Sequence, residues 1–350
     1  MKLAKKIKIG NKWIGDGHPC FVIAEAGANH NRKLIQAKKL IDIAKKSGAD
    51  AIKFQTYSAK TLYTQRLKTL PNETKKPFDV IKELEMPYEW IPILAKYSKE
   101  QGLIFLSTPF DEQAIDQLNP FVPAFKWASP ELIDKPLIEY VAMKGKPLII
   151  STGFYGMKES LETLKWISKT GNRKIIFLHC TGLYPTIPEE VNLRAIVSLK
   201  KKIGCPVGLS DHTLDTIIPA FAVIMGANVI EKHFTINRKM KGPDHPFSLE
   251  PNELKQMVEN IRKSEKSMGS GIKKPTKKEI KKEKLIRRGI VATKNLKKGE
   301  KITLSNISTK RVGAGAILPK YYKKILGKKI LFDIQNDEKI TWRTISKTKK

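Results

Sequence analysis

The chain has 350 residues, 41% of them hydrophobic, which suffices for one large core or a large and a small one and excludes general disorder. No apolar run approaches the ~18 residues that span a bilayer, and the basic start Met1–Lys8 leads into a Gly-Asn-Lys turn rather than an apolar stretch, so neither an anchor nor a signal peptide is expected and the location is read as cytoplasmic. Lys and Arg number 66 against 34 Asp and Glu, a net charge of +32, but the lysines are scattered and do not interleave with aromatics as in base-stacking surfaces, so a nucleic-acid partner is not expected.

In chain order, eight short apolar segments recur, each followed by a stretch of helical spacing. They are Phe21–Ala26, Ala51–Gln55, Leu103–Thr108, Ala124–Ser129, Pro147–Thr152, Ile175–Thr181, Pro206–Asp211 and Asn228–Phe234. One helical stretch begins near Leu34 with Ile41 and Ala44 on its face; another begins at Met157 with Leu161, Leu164 and Ile167. Strands alternating with helices pair in parallel, since each helix returns the chain across the sheet. Eight such units in about 250 residues match a closed (β/α)8 TIM barrel, and the sequence has no Gly-rich dinucleotide loop to favour an open sheet. Cys20, Cys180 and Cys205 show no paired spacing and read as buried thiols, with neither a disulfide framework nor a zinc pattern.

Beyond Ile261 the texture changes. Residues 1–268 are assigned to the barrel, 269–286 to a charged linker opening on Gly269-Ser270-Gly271, and 287–350 to a small, mostly β domain. Its expected strands are Gly289–Ala292, Lys301–Leu304 and Lys339–Arg343. At about 60 residues such a module has little stability to spare, so docking on another surface is expected.

In a barrel of this kind the reactive groups come from the carboxyl ends of the strands. Those ends are polar at all eight positions: Glu25 with Asn29-His30-Asn31, Lys53-Phe54-Gln55-Thr56, Ser107-Thr108-Pro109, Lys126 and Ser129 running on to Glu131, Ser151-Thr152-Gly153, His179-Cys180-Thr181 with Tyr184 beyond, Ser210-Asp211-His212, and Glu231-Lys232-His233. An unpaired ammonium in an apolar barrel is costly, so Lys53 and Lys126 need an anion or an acidic partner. With Thr108, Ser129, Ser151 and Ser210 they form a cationic, hydroxyl-rich cup for phosphate; pairing with Glu25 or Glu231 is the alternative. His212 and His233 end neighbouring strands and can meet at one metal ion with open positions, whereas His179 reads as structural. A Schiff-base aldolase using Lys53, Lys126 or Lys232 is the rival enzyme, and the paired histidines argue against it. A binding module built on the Lys273–Arg288 run is the rival outside catalysis.

Nine runs resemble the sialic acid synthase family: Ile23–His30 (IAEAGANH), Lys53–Thr56 (KFQT), Ser107–Phe110 (STPF), Ser151–Gly153 (STG), His179–Tyr184 (HCTGLY), Gly208–Leu214 (GLSDHTL), Glu231–Thr235 (EKHFT), Gly242–Asp244 (GPD) and Lys310–Pro319 (KRVGAGAILP). The last resembles the small antifreeze-like (SAF, β-clip) domain of those enzymes. The resemblance implies condensation of phosphoenolpyruvate with an N-acyl hexosamine, N-acetylmannosamine or a diacetamido analogue, to a nine-carbon 2-keto acid and phosphate. It implies a divalent cofactor, Mn2+ or Mg2+, on His212 and His233. It assigns Lys53, Thr108, Lys126, Ser129, Ser151 and Ser210 to phosphoenolpyruvate, Glu131 to positioning or deprotonating water, and Glu25, Tyr184 and Asp244 to the sugar hydroxyls. Arg311 would reach the acyl sugar from the small domain of a partner in a domain-swapped homodimer. The chain departs from the family's pattern at Gly182, where an Asn is common.

Overall fold

The computed structural model describes residues 3–69 and 75–346. They fall into two compact units, Met1–Gly269 and Ser270–Lys350.

The first unit opens with a hairpin of β1 (Ile7–Ile9) and β2 (Lys12–Ile14), which reverses at the expected Gly-Asn-Lys turn. Eight parallel strands follow: β3 (Phe21–Gly27), β4 (Ala51–Thr56), β5 (Ile104–Pro109), β6 (Phe125–Trp127), β7 (Leu148–Ser151), β8 (Ile175–Cys180), β9 (Val207–Asp211) and β10 (Val229–His233). They form one sheet in the order β5-β4-β3-β10-β9-β8-β7-β6, and β5 lies against β6, so the sheet closes on itself. All eight expected strands are present.

Successive side chains on a strand point to opposite faces, and this alternation decides what can reach the barrel interior. Along β3, Val22, Ala24 and Ala26 pack outward beneath the helices, whereas Phe21 and Ile23 join an inner cluster with Ala51, Leu106, Ile149, Ile176, Leu178 and Val229. The hairpin residues Ile7, Ile9 and Ile14 belong to that inner cluster and plug one end of it. The same parity carries Glu25, Lys53, Thr108, Lys126, Ser151, Ser210, Glu231 and His233 inward, one step past the apolar layers. Gly208 belongs to the inner register too, and a Cβ there would lie 2.2 Å from the Val229 carbonyl oxygen, so only glycine fits.

The two foreseen helices form at Leu34–Ser47 and Met157–Lys169. Leu40, Ile41 and Ala44 of the first are buried, and Gly48 ends it in the left-handed conformation at φ 81°. In the second, Ile167 is buried while Leu161 and Leu164 pack partly exposed against the same core. Their inward faces cover the sheet, as an all-parallel barrel requires.

In the second unit, β11 (Arg288–Ala292) pairs antiparallel with β12 (Ile307–Arg311) around a core of Ile290, Leu296, Ile302, Ile307, Ile317, Ile325, Ile330 and Ile340. Lys301–Leu304 and Lys339–Arg343, read as strands, contribute single bridges only, Lys301 to Lys329 and Lys339 to Val291. Their β-type residues serve as isolated anchors for that small core. Within the stretch read as linker, Lys277–Ile286 is helical, started by a Thr276/Glu279 capping box, and none of its residues is buried.

Candidate active site

The inward residues at the strand ends surround a chamber of about 160 Å³. Its wall contains Glu25, Lys53, Gln55, Thr108, Lys126, Ser129, Ser151, Tyr184, Ser210, His212, Glu231 and His233, so the structure brings together ten of the site residues expected from sequence and adds Gln55 and Glu231. Gln55 shares the inward parity of Lys53, and its Nε2 donates to Glu25 at 3.2 Å. That parity was the signal that could have found it. Cys180, Gly182 and Phe154 also line the chamber.

Lys53 and Lys126 are buried at its floor. Lys53 Nζ lies 2.8 Å from Glu25 Oε2 and 3.8 Å from Glu231 Oε2, and donates to Thr108 Oγ1 at 3.0 Å. Lys126 Nζ donates to Ser151 Oγ at 2.7 Å and to the Trp127 carbonyl at 2.9 Å, with Glu231 Oε1 at 3.5 Å. Ser210 Oγ completes the group at 3.1 Å from Glu231 Oε1. Both lysines therefore have acidic partners inside the barrel, the alternative raised from sequence, and they still face the chamber with their hydroxyl neighbours.

Two lysines and two carboxylates share this floor, and burial acts on them unequally. Burial drives Glu25 above the usual carboxylate range, with Lys53 only partly offsetting it. Glu231 is also penalised by burial, but Lys126 and Lys53 together pull it below that range. Burial lowers Lys126, whereas at Lys53 the same penalty is outweighed by Glu231 and Glu25 and the ammonium is held up. Close carboxylates split in this way because both cannot ionise freely. Burial thus weakens the negative charge at Glu25 more than at Glu231, which leaves the two lysines less than fully neutralised and the floor suited to an anion.

His212 and His233 stand on one side of the chamber, ring centroids 5.8 Å apart. His212 Nδ1 donates to the Thr181 carbonyl at 2.7 Å, which leaves Nε2 as the free lone pair. His233 Nδ1 is buried without a hydrogen-bond partner among the described residues. Burial pushes His212 down to about 4 and His233 well below the usual imidazole range, so both are neutral, the state in which imidazole binds metal. Among the described residues no group of three or more His, Cys, Asp or Glu gathers as a complete ligand set. The pair fits a divalent ion that takes its other ligands from substrate and water. Tyr184 stacks on His212 at 3.9 Å between centroids, and Phe247 packs edge-on against His233 at 5.2 Å.

The neighbours Asp211 and Lys232 have the opposite parity and form a buried ion pair at 2.6 Å on the outer face. They tie β9 to β10 behind the histidines, which removes Lys232 as a candidate amine nucleophile. His179 also faces outward, 2.7 Å from the Val191 carbonyl, and is structural as expected.

Glu131 and Asp244 stand beside the chamber rather than in its wall. Glu131 lies in the turn Pro130–Ile133 after β6; its Oε2 is buried without a hydrogen-bond partner among the described residues, and burial pushes its carboxyl up to about 7. Asp244 accepts a bond from the Ala28 amide at 2.9 Å, against the end of β3. Arg311 belongs to the second unit, where it is exposed and faces Arg288 across the β11–β12 pair.

A profile of the NeuB family matches residues 40–273, and a SAF-domain profile matches residues 287–346. The chain belongs to the NeuB family. It is an enzyme of this sialic-type acid synthase family, with the SAF domain as its second unit. A protein of Methanocaldococcus jannaschii with no assigned activity is 46% identical to it, over 97% of this chain and 98% of its own. The N,N'-diacetyllegionaminic acid synthase of Legionella pneumophila is 39% identical over 96% and 97%. Among solved structures, the N-acetylneuraminic acid (sialic acid) synthetase of Leptospira borgpetersenii in complex with citrate superposes with a TM-score of 0.73 at 33% identity, covering 80% of this chain and 96% of that one. Among the described residues of this NeuB-family chain, no helix is long and apolar enough to cross a membrane.

Proposed function

We propose that this enzyme condenses phosphoenolpyruvate with the open-chain aldehyde of an N-acyl hexosamine, either N-acetylmannosamine or a diacetamido analogue. The products are a nine-carbon 2-keto acid and phosphate. The observation that carries this reading is a two-lysine, hydroxyl-lined floor and a pair of neutral imidazoles in one chamber. The first suits a phosphorylated carboxylate and the second a carbonyl in need of polarisation. The names of the Legionella and Leptospira relatives support the product class.

Carbon 3 of the enol bonds to the aldehyde carbon and the aldehyde oxygen takes a proton. Water adds at carbon 2, and phosphate leaves with the bridging oxygen. Lys53, Lys126, Thr108, Ser129, Ser151 and Ser210 hold the anionic substrate, and their buried positions exclude competing water from it. A divalent ion, Mn2+ or Mg2+, held by His212 and His233 would supply Lewis-acid polarisation of the aldehyde oxygen. Glu131, as carboxylate, orients and deprotonates the attacking water. Glu25, Tyr184 and Asp244 hold the sugar hydroxyls. Arg311 is assigned to the acyl-sugar end, delivered by a partner copy in a domain-swapped homodimer.

The test is phosphate release from phosphoenolpyruvate with a panel of N-acetylmannosamine, diacetamido and phosphorylated hexosamines. Release that requires both substrates is expected; release without any sugar, or with none of the panel, would count against the assignment.

A further inference from the structure

Phe154 carries two costs that core packing does not explain. Its φ is 69°, in the left-handed region where a bulky side chain is an outlier, and its side chain is 66% exposed. The backbone on either side is pinned: the Gly153 amide donates to Ser129 Oγ at 2.9 Å, and the Tyr155 amide to the Thr152 carbonyl at 3.3 Å. The ring is both largely exposed and part of the chamber's lining, which sets it at the solvent-facing side of the chamber, away from the buried lysines.

The ring lies against Gly182, which also lines the chamber. A Cβ on Gly182 would lie 2.3 Å from Phe154 Cζ and 2.4 Å from Cε1, so the ring occupies the space that any side chain at 182 would need. A large residue held in a strained conformation and an absent side chain facing it form one unit. Together they present an aromatic face to the chamber.

We infer that the Phe154–Gly182 pair is the specificity-determining wall of the acyl-sugar site. It favours sugars that present a methyl or acylamino group there over those that present a hydroxymethyl group. The inference rests on the proposed synthase activity: with the anionic substrate on the lysine floor, the second substrate occupies the outer part of the chamber. An aromatic face gains contact area from a methyl group and leaves a hydroxyl without a partner. Discrimination by one apolar contact of this kind is worth roughly 10–200-fold.

The experiment is steady-state kinetics by phosphate release for wild type, Phe154→Ala, Gly182→Ala and the double variant. The sugars are N-acetylmannosamine and 2,4-diacetamido-2,4,6-trideoxymannose. Wild type is expected to prefer the deoxy diacetamido sugar by roughly tenfold or more in kcat/KM. In Phe154→Ala the preference should collapse to within about threefold through a raised sugar KM, with the phosphoenolpyruvate KM within about twofold of wild type. Gly182→Ala should reproduce this, because its Cβ evicts the ring, and should add nothing in the Phe154→Ala background. Phe154→Leu should recover part of the preference. Equal preference in wild type and Phe154→Ala, or additive effects of the two substitutions, would overturn the wall while leaving the synthase reading intact. A wild type that turns over no acyl sugar would remove both.

Discussion

Lys53 Nζ lies 2.8 Å from Glu25 Oε2 and 3.8 Å from Glu231 Oε2, at the centre of a barrel floor almost closed to solvent. The pairing makes Lys53 a structural cation in addition to its proposed part in holding the anion. Lys53→Ala should therefore weaken phosphoenolpyruvate binding by at least about tenfold and destabilise the fold by about 3–5 kcal/mol, because it strands buried carboxylates. Burial already holds the Glu25 carboxyl above the ordinary range and Lys53 is the main charge offsetting it, so the loss should be larger at pH 8 than at pH 5.5, where Glu25 keeps its proton. Calorimetric titration and denaturant unfolding at the two pH values measure both effects. Wild-type affinity in the variant would remove Lys53 from the anion site.

Glu131 gives a pH dependence. Burial raises its carboxyl to about 7, well above the ordinary carboxylate range, and the proposed role needs the ionised form. The rate of phosphate release should thus rise with pH through about 7, and that limb should be missing from the residual activity of Glu131→Gln. Stability should move in the opposite sense. The folded state holds this proton more tightly than the unfolded chain, so its contribution is intact below about pH 4.5 and is lost as pH rises through about 7. Glu131→Gln is expected to raise stability at pH 8 by about 2 kcal/mol, read from denaturation midpoints. A variant with an unchanged pH profile would separate Glu131 from the chemistry.

Removal of the metal should abolish turnover. Excess chelator is expected to stop phosphate release, and Mn2+ or Mg2+ to restore it. His212→Ala and His233→Ala should each weaken binding of the ion by tenfold or more, as measured by Mn2+ paramagnetic resonance on the protein alone. Full activity in excess chelator would refute the role given to the two imidazoles.

Arg311→Ala should cut sugar turnover by about tenfold or more and leave phosphoenolpyruvate affinity near wild type. Mixed subunits test the swapped arrangement directly. Arg311→Ala protein exchanged with His212→Ala protein should regain part of the activity that neither has alone. No recovery in a proven heterodimer would place Arg311 and His212 of one copy in the same site.

The barrel was legible in the sequence because strand and helix periods alternate eight times, and because period-two alternation sends Glu25, Lys53, Lys126, Ser210 and His233 to one face. The limits were set by relations between distant residues. Nothing local to Lys53 shows that Glu25 and Glu231 reach it, since the three meet only when β10 pairs with β3 and β3 with β4. Phe154 reads as an ordinary loop aromatic until its positive φ and its contact with Gly182 are seen. In the second unit, Lys301–Leu304 and Lys339–Arg343 have strand-like composition but meet their partners at one residue each, which no residue pattern reveals.

The proposed condensation cleaves the carbon–oxygen bond of phosphoenolpyruvate. It is tested most directly with phosphoenolpyruvate carrying 18O in the bridging position, incubated with an accepted N-acyl hexosamine and analysed by mass spectrometry. The expected result is one 18O in the released phosphate and a nine-carbon 2-keto acid formed in equal amount. Label retained in the organic product, or phosphate released without the longer acid, would contradict the assignment.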